Sequence, residues 1–270
     1  MSSAQDDNQS QLKLLWAQEF DGESGQLPDP EFWEYENGDG SQFGIPGWGN
    51  QELESYQPEN TAMDGDSSLV ITAKKTNPAT APDTYYGKAQ FTSGRIVTHH
   101  KLHFEYGRYE IRAKVSGGVG LWPAFWMLGD DIGEHTWPLC GEIDIMEFIG
   151  RRPNTIYGTL HGPGYFGDDG HGTTIDLPDP VADDWHVFAI EWKPDHMVWF
   201  LDGKEYFRAE ASAVAPNEWV FNHPFYFLLN MAVGGHLGGE VDPELATESQ
   251  LLVDYIRVYE IDGYGRVFKP

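Results

Sequence analysis

The sequence predicts an all-β sandwich or jelly roll, and three observations carry that expectation. Thirty-one glycines and 17 prolines punctuate the chain, too many for long helices. Extended stretches of 3.6-residue apolar period are missing. Short runs rich in Val, Ile, Tyr, Phe and Trp recur between the turn signals, at 68–73, 94–98, 106–115, 124–128, 143–148, 157–161, 185–192, 197–201, 225–231 and 251–259. Within 106–115, Arg108, Glu110, Arg112 and Lys114 alternate with Tyr109, Ile111, Ala113 and Val115, which gives that strand one wet face and one covered face. Asp202-Gly203 separates Met197–Leu201 from Lys204–Phe207 and marks a hairpin, because both central positions of a type I′ turn require positive φ. No internal repeat and no linker divides the chain. Polar residues 1–11 are expected to form a disordered lead-in, and 12–270 a single domain.

The formal net charge of −26 excludes a phosphate-backbone binder and argues against docking on anionic lipid, since both need a basic surface. The expected partner is neutral or cationic. So much like charge repels itself unless salt screens it, which predicts a salt-tolerant protein from a saline setting, with an acidic but ordinary mesophilic surface as the alternative. No apolar run approaches the ~18 residues of a membrane span, so no membrane segment is expected. The single cysteine, Cys140, rules out an intrachain disulfide and leaves the redox compartment open.

The chemistry concentrates in Gly141-Glu142-Ile143-Asp144-Ile145-Met146-Glu147-Phe148. On a strand, side chains alternate faces, so Glu142 and Asp144 point the same way and Glu147 falls out of phase. A β-bulge at Ile145-Met146 adds one residue and returns Glu147 to the face of the other two acids. Three acids on one face repel, and the set is tolerated when one stays protonated, as a general acid must. Glycoside cleavage needs that division: one carboxylate attacks the anomeric carbon while a neutral carboxylic acid protonates the departing oxygen. A bulged strand brings the outer carboxyls to about 5–5.5 Å, the spacing for retention. Glu142 is then the nucleophile, Glu147 the acid/base, and Asp144 the group that shares charge with the nucleophile. For an isolated acidic triplet, a solvated strand face or a cation site is the alternative.

Sugar rings offer apolar C–H faces and a hydroxyl rim, so their sites combine aromatic platforms with polar side chains. Trp122 and Trp126 share one face of the run 121–128, and Trp137 lies in the loop that leads to the acids. Core packing is the competing reading for each tryptophan, above all for Trp185, Trp192 and Trp199, which have no acids beside them. His161 opens a Gly-rich loop at a strand end. A lone histidine is more often structural, and the ten histidines show no metal-ligand spacing such as HExxH. Asn50, Glu52 and Arg95 mean little by spacing alone.

The string Gly-Glu142-Ile-Asp144-Ile-Met-Glu147 resembles the signature of glycoside hydrolase family 16, and its inserted Met matches the laminarinase-like branch. Further matches follow in order from Leu14 onwards, among them Trp48-Gly-Asn50-Gln-Glu52, Phe91-Thr-Ser-Gly-Arg95, Gly120-Leu-Trp122-Pro-Ala-Phe-Trp126, His161-Gly-Pro-Gly and Val253-Asp254-Tyr-Ile-Arg-Val-Tyr259. The resemblance implies a β-jelly-roll sandwich of two curved antiparallel sheets with a substrate cleft on the concave face. It implies endo-hydrolysis of β-1,3-glucan with retention, with Glu142, Asp144 and Glu147 in the roles above. Trp126, Trp137, Trp122, Asn50 and Arg95 look like glycone-side contacts, and His161 like a neighbour of the cleavage point. It also implies a structural Ca²⁺ on the convex side, held by Glu19, a backbone carbonyl near Gly65, and Asp254. No cofactor is expected for catalysis. A secreted enzyme that works as a monomer on a neutral β-glucan is the resulting expectation, with a signal peptide removed from the chain. The segment Gly234–Gly239 is expected to border the cleft. The alternatives are a hydrolase or transglycosylase of mixed-linkage β-1,3-1,4-glucan or another polysaccharide such as agarose or carrageenan, and a non-catalytic glucan-binding module.

Overall fold

The computed structural model describes residues 12–270, so the expected lead-in at 1–11 lies outside the described residues. Among these residues the structure is two large β-sheets and little else; its one α-helix is the single turn Gly235–Gly238. The first sheet runs in the order Lys204–Glu210, His196–Leu201, His186–Lys193, Gly107–Val115, Glu248–Glu260, Leu69–Lys75, Phe91–Ser93, Glu54–Tyr56. The second runs His171–Asp176, Thr155–His161, Glu142–Phe148, Leu121–Gly129, Phe225–Val233, His103–Glu105, Arg266–Phe268, with Arg95–Val97 also on Phe225–Val233.

Every strand inferred from the sequence is present. Asp202 and Gly203 take φ of 50° and 77°, and Leu201 faces Lys204 across the expected hairpin. One short pair departs in direction from its neighbours. The sheets are not wholly antiparallel, because Glu54–Tyr56 pairs parallel to Phe91–Ser93. The long connection between them supplies the crossover that parallel pairing requires.

Alternation decides what is buried. Along Gly107–Val115 the odd-numbered residues are buried and face the second sheet, while the charges between them look outward, where Arg108 pairs with Glu191 and Arg112 with Asp254. Leu121, Phe125 and Met127 enter the core from the opposite side, and Phe104, Phe125 and Phe227 meet there at ring separations of 4.3–5.0 Å. This single body of buried side chains fixes the two sheets face to face. Trp192 and Trp199 are fully buried in it, as core packing predicts, whereas Trp185 is only partly covered and lies under Arg112. Trp199 also rises to touch the acid-bearing sheet from below. A Cβ on Gly158 would lie 2.6 Å from the Trp199 ring, so only glycine permits that approach.

Candidate active site

The acidic strand bulges where the sequence requires it. Against Leu121–Gly129, Asp144 faces Trp126 and Met146 faces Phe125, which leaves Ile145 as the extra residue. Against Thr155–His161 the register jumps between Asp144 and Glu147. Ile145 and Met146 both drop into the core, and Glu142, Asp144 and Glu147 emerge on the same outer face. Trp199 holds the kink from beneath: its Nε1–H donates to the Asp144 carbonyl at 2.8 Å.

That face is the floor of a groove of about 320 Å³. Its lining includes all nine residues expected of an active site: Asn50, Arg95, Trp122, Trp126, Trp137, Glu142, Asp144, Glu147 and His161. Two tryptophans reach the outer acids directly. Trp122 Nε1 donates to Glu147 Oε1 at 3.0 Å, and Trp137 Nε1 donates to Glu142 Oε2 at 2.5 Å. His161 faces Glu142 across the ladder and brings its Nε2 within 3.2 Å of Asp144 Oδ2. Arg95 is buried, sandwiched between Trp48 at 4.3 Å and Trp126 at 5.1 Å, and paired with Glu36. Its guanidinium stiffens the aromatic platform.

Burial pushes all three carboxyls above the ordinary carboxylate range. For Glu142, the charges of Asp144 and Glu147 add to burial, while His161 opposes it. For Asp144, burial is reinforced by Glu147 and opposed by its hydrogen bond with Glu142. For Glu147, the Trp122 hydrogen bond and His161 both work against burial. Burial and mutual repulsion therefore work against three negative charges together in the groove. Taken alone, these shifts favour protonating Glu142 over Glu147. The titration of Glu142 and Asp144 belongs to the pair rather than to either residue, however, and the indole N–H of Trp137 stabilises charge on Glu142.

Several lining residues escaped sequence reasoning. Asn230 lies beneath the platform, where its Oδ1 accepts from Trp126 Nε1 at 2.8 Å and its Nδ2 donates to Tyr56 Oη at 3.0 Å. Tyr56 donates in turn to Glu52, which also accepts from Asn50 Nδ2. The chain Asn50–Glu52–Tyr56–Asn230–Trp126 thus joins one groove wall to its floor. The signal for Asn230 was present: it is the single polar residue in the otherwise apolar run Phe225–Val233. His236, within the expected border segment, meets Asp168 Oδ1 at 2.9 Å. Nothing in the spacing announces that contact.

The residues expected to hold calcium do not fit the ion as arranged. Both Glu19 carboxylate oxygens accept from Arg257, at 2.8 and 2.7 Å, and Asp254 accepts from Arg112 at 2.6 Å. Each carboxylate already has its cation. Gly65 has a separate reason to be glycine, since its φ is 89° and a Cβ would press on Ser24 at 3.0 Å.

A jelly roll with three buried acids on one strand face and indole donors along an open groove defines a glycoside hydrolase that cuts within polymers. Comparison with known proteins gives the same class. The model of glycosyl hydrolases family 16 matches residues 50–257. A β-glucanase of Rhodothermus marinus is 41% identical over 96% of this chain and 89% of its own length. Among solved structures, the laminarinase catalytic domain of Thermotoga maritima MSB8 is 44% identical with a TM-score of 0.87, covering 92% of this chain and 98% of that one. The endo-β-1,3-glucanase of Pyrococcus furiosus is 42% identical with a TM-score of 0.88, covering 94% and 96%. The chain belongs to glycoside hydrolase family 16.

Proposed function

We propose that the protein is an endo-β-1,3-glucanase that cleaves laminarin-like glucan by double displacement with retention. The observation that carries this reading is the bulge, which aims Glu142 and Glu147 into one groove while tryptophan donors hold both in place. In the first step Glu142 attacks the anomeric carbon as the glycosidic C–O bond breaks, and Glu147 delivers its proton to the departing oxygen. Asp144 keeps the shared proton and hydrogen-bonds Glu142, so that Glu142 carries the charge. In the second step ionised Glu147 takes a proton from water, the water oxygen bonds to the anomeric carbon, and Glu142 leaves. Trp122, Trp126 and Trp137 offer faces to the sugar rings, and Asn50 and His161 offer polar contacts.

A neutral polymer suits a chain of charge −26, which an anionic one would meet with repulsion. The same charge supports a monomeric enzyme that stays active in concentrated salt, and the reading as a secreted enzyme rests on a polysaccharide substrate too large to be taken up whole. Reducing-sugar release from laminarin, lichenan, agarose and carrageenan, with and without molar salt, tests substrate and setting together. Laminarin is expected to be the best substrate, and Glu142→Ser to lose several orders of magnitude of activity on it. Full activity in that variant, or a clear preference for agarose or carrageenan, would overturn the proposal.

A further inference from the structure

The loop that carries Trp137 begins at a second cluster of ligand-bearing side chains, outside the groove lining. Asp130 and Asp131 follow the strand Leu121–Gly129, and His223 precedes Phe225, which faces Gly129 across the ladder. Two imidazoles orient the two carboxylates through their Oδ2 atoms. His103 Nδ1 lies 3.1 Å from Asp130 Oδ2, and His135 Nδ1 lies 2.8 Å from Asp131 Oδ2. Asp131 Oδ1 is left over, and it faces His223 Nε2 at 3.2 Å. Both atoms are sealed from solvent, yet neither has a hydrogen-bond partner, because they approach each other without the required alignment. Two orphaned ligand atoms so close together need an explanation.

We propose that Asp130, Asp131 and His223 form a binding site for a late first-row divalent cation of the Zn²⁺ kind. One ligand atom from each of the three lies within 4.8 Å of the others. Ligands at about 2.0–2.2 Å in tetrahedral array stand about 3.3–3.5 Å apart, so the 3.2 Å between Asp131 Oδ1 and His223 Nε2 is close to a metal-bound separation. A Cβ on Gly129 would strike the Cys140 carbonyl oxygen at 2.1 Å, so the turn itself requires glycine there, and the same glycine lets His223 Nε2 and Asp131 Oδ1 approach the backbone. Imidazole mixed with carboxylate favours Zn²⁺, Ni²⁺ or Cu²⁺ over Ca²⁺ or Mg²⁺. His103 and His135 then act as outer partners that fix the carboxylates. The three side chains are each partly exposed although Asp131 Oδ1 and His223 Nε2 are themselves covered, so an ion would enter by parting that 3.2 Å contact. A bound ion would clamp the root of the loop whose Trp137 touches Glu142.

The test is calorimetric titration of Zn²⁺ into the chelator-treated full chain above the imidazole pKa. The catalytic cluster Glu142, Asp144 and His161 also brings three ligand atoms within 4.8 Å, so Glu142→Gln serves as the control for that site. One Zn²⁺ per chain is expected. His135→Ala should weaken binding about 10–100-fold and His223→Gln or Asp131→Asn at least as much, while Glu142→Gln leaves it intact. Absence of binding by the unaltered protein, unchanged binding in both His223→Gln and Asp131→Asn, or loss only in Glu142→Gln overturns the proposal. Should those variants fail to fold, anomalous diffraction at the zinc edge from Zn²⁺-soaked crystals of the unaltered protein decides. A peak between Asp131 and His223 supports the site, and a peak elsewhere or none rejects it.

Discussion

Replacing Trp199 with Phe should separate the stability of the fold from the aim of its acids. The indole Nε1–H donates to the Asp144 carbonyl at the kink, and both residues are buried, so water cannot replace the lost donor. Losing that buried hydrogen bond costs about 1–3 kcal/mol. For a chain of this size the penalty lowers the melting temperature by about 2–6 °C. Trp192→Phe is the matched control. Trp192 is equally buried and donates to the Phe221 carbonyl at 3.1 Å, but it supports no acid and does not line the groove. Both variants should lose similar stability. Only Trp199→Phe should lose kcat, by up to about 100-fold for a misplacement near 1 Å, with KM changed far less. Melting by calorimetry and initial rates on laminarin measure the two effects. If Trp199→Phe lost stability but kept kcat within twofold of Trp192→Phe, the bulge would not depend on this contact and the reasoning would fail.

Other residues give further expectations. Trp122→Phe keeps an aromatic face but removes the donor that favours ionised Glu147, so the Glu147 pKa rises and the alkaline limb of the kcat/KM profile moves to higher pH; a limb that stays put or moves down counts against Glu147 as the acid. Glu54 is fully buried, and burial, the charge of Glu52 and their hydrogen bond hold its pKa well above the ordinary value. Its stabilising contribution is therefore complete below the unfolded carboxylate pKa and is lost as pH rises through the folded one, so Glu54→Gln should flatten the melting temperature against pH and gain on the unaltered protein toward alkaline pH. Treatment with a calcium-selective chelator should leave the melting temperature unchanged, because Arg257 and Arg112 already neutralise Glu19 and Asp254; a fall of several degrees would show that an ion competes successfully with those arginines.

The acids were legible in the sequence because the argument needed only a period of two and one inserted residue. Glu142, Asp144 and Glu147 lie on one strand, and local geometry fixes their relation. Trp122 and Trp126 were legible for the same reason. The supporting contacts were not, because they depend on register between distant segments. Trp199 reaches Asp144 from the other sheet, and Asn230 meets Trp126 and Tyr56 only after three strands have paired. Three-residue strands such as Glu54–Tyr56 and His103–Glu105 are too short to show alternation, and their pairing follows from tertiary contacts. The arginine partners of the carboxylates expected to hold calcium were hidden for a related reason. Matching positions named the carboxylates, but sequence order does not say which arginine each will meet.

The anomeric form of the first product, followed by proton NMR within seconds of mixing enzyme and laminarin, examines the paired-carboxylate mechanism most directly. A groove in which one strand presents both Glu142 and Glu147 to the same bond predicts β-configured reducing ends that mutarotate slowly afterwards. Initial release of the α-anomer would mean that water, rather than Glu142, attacks the sugar.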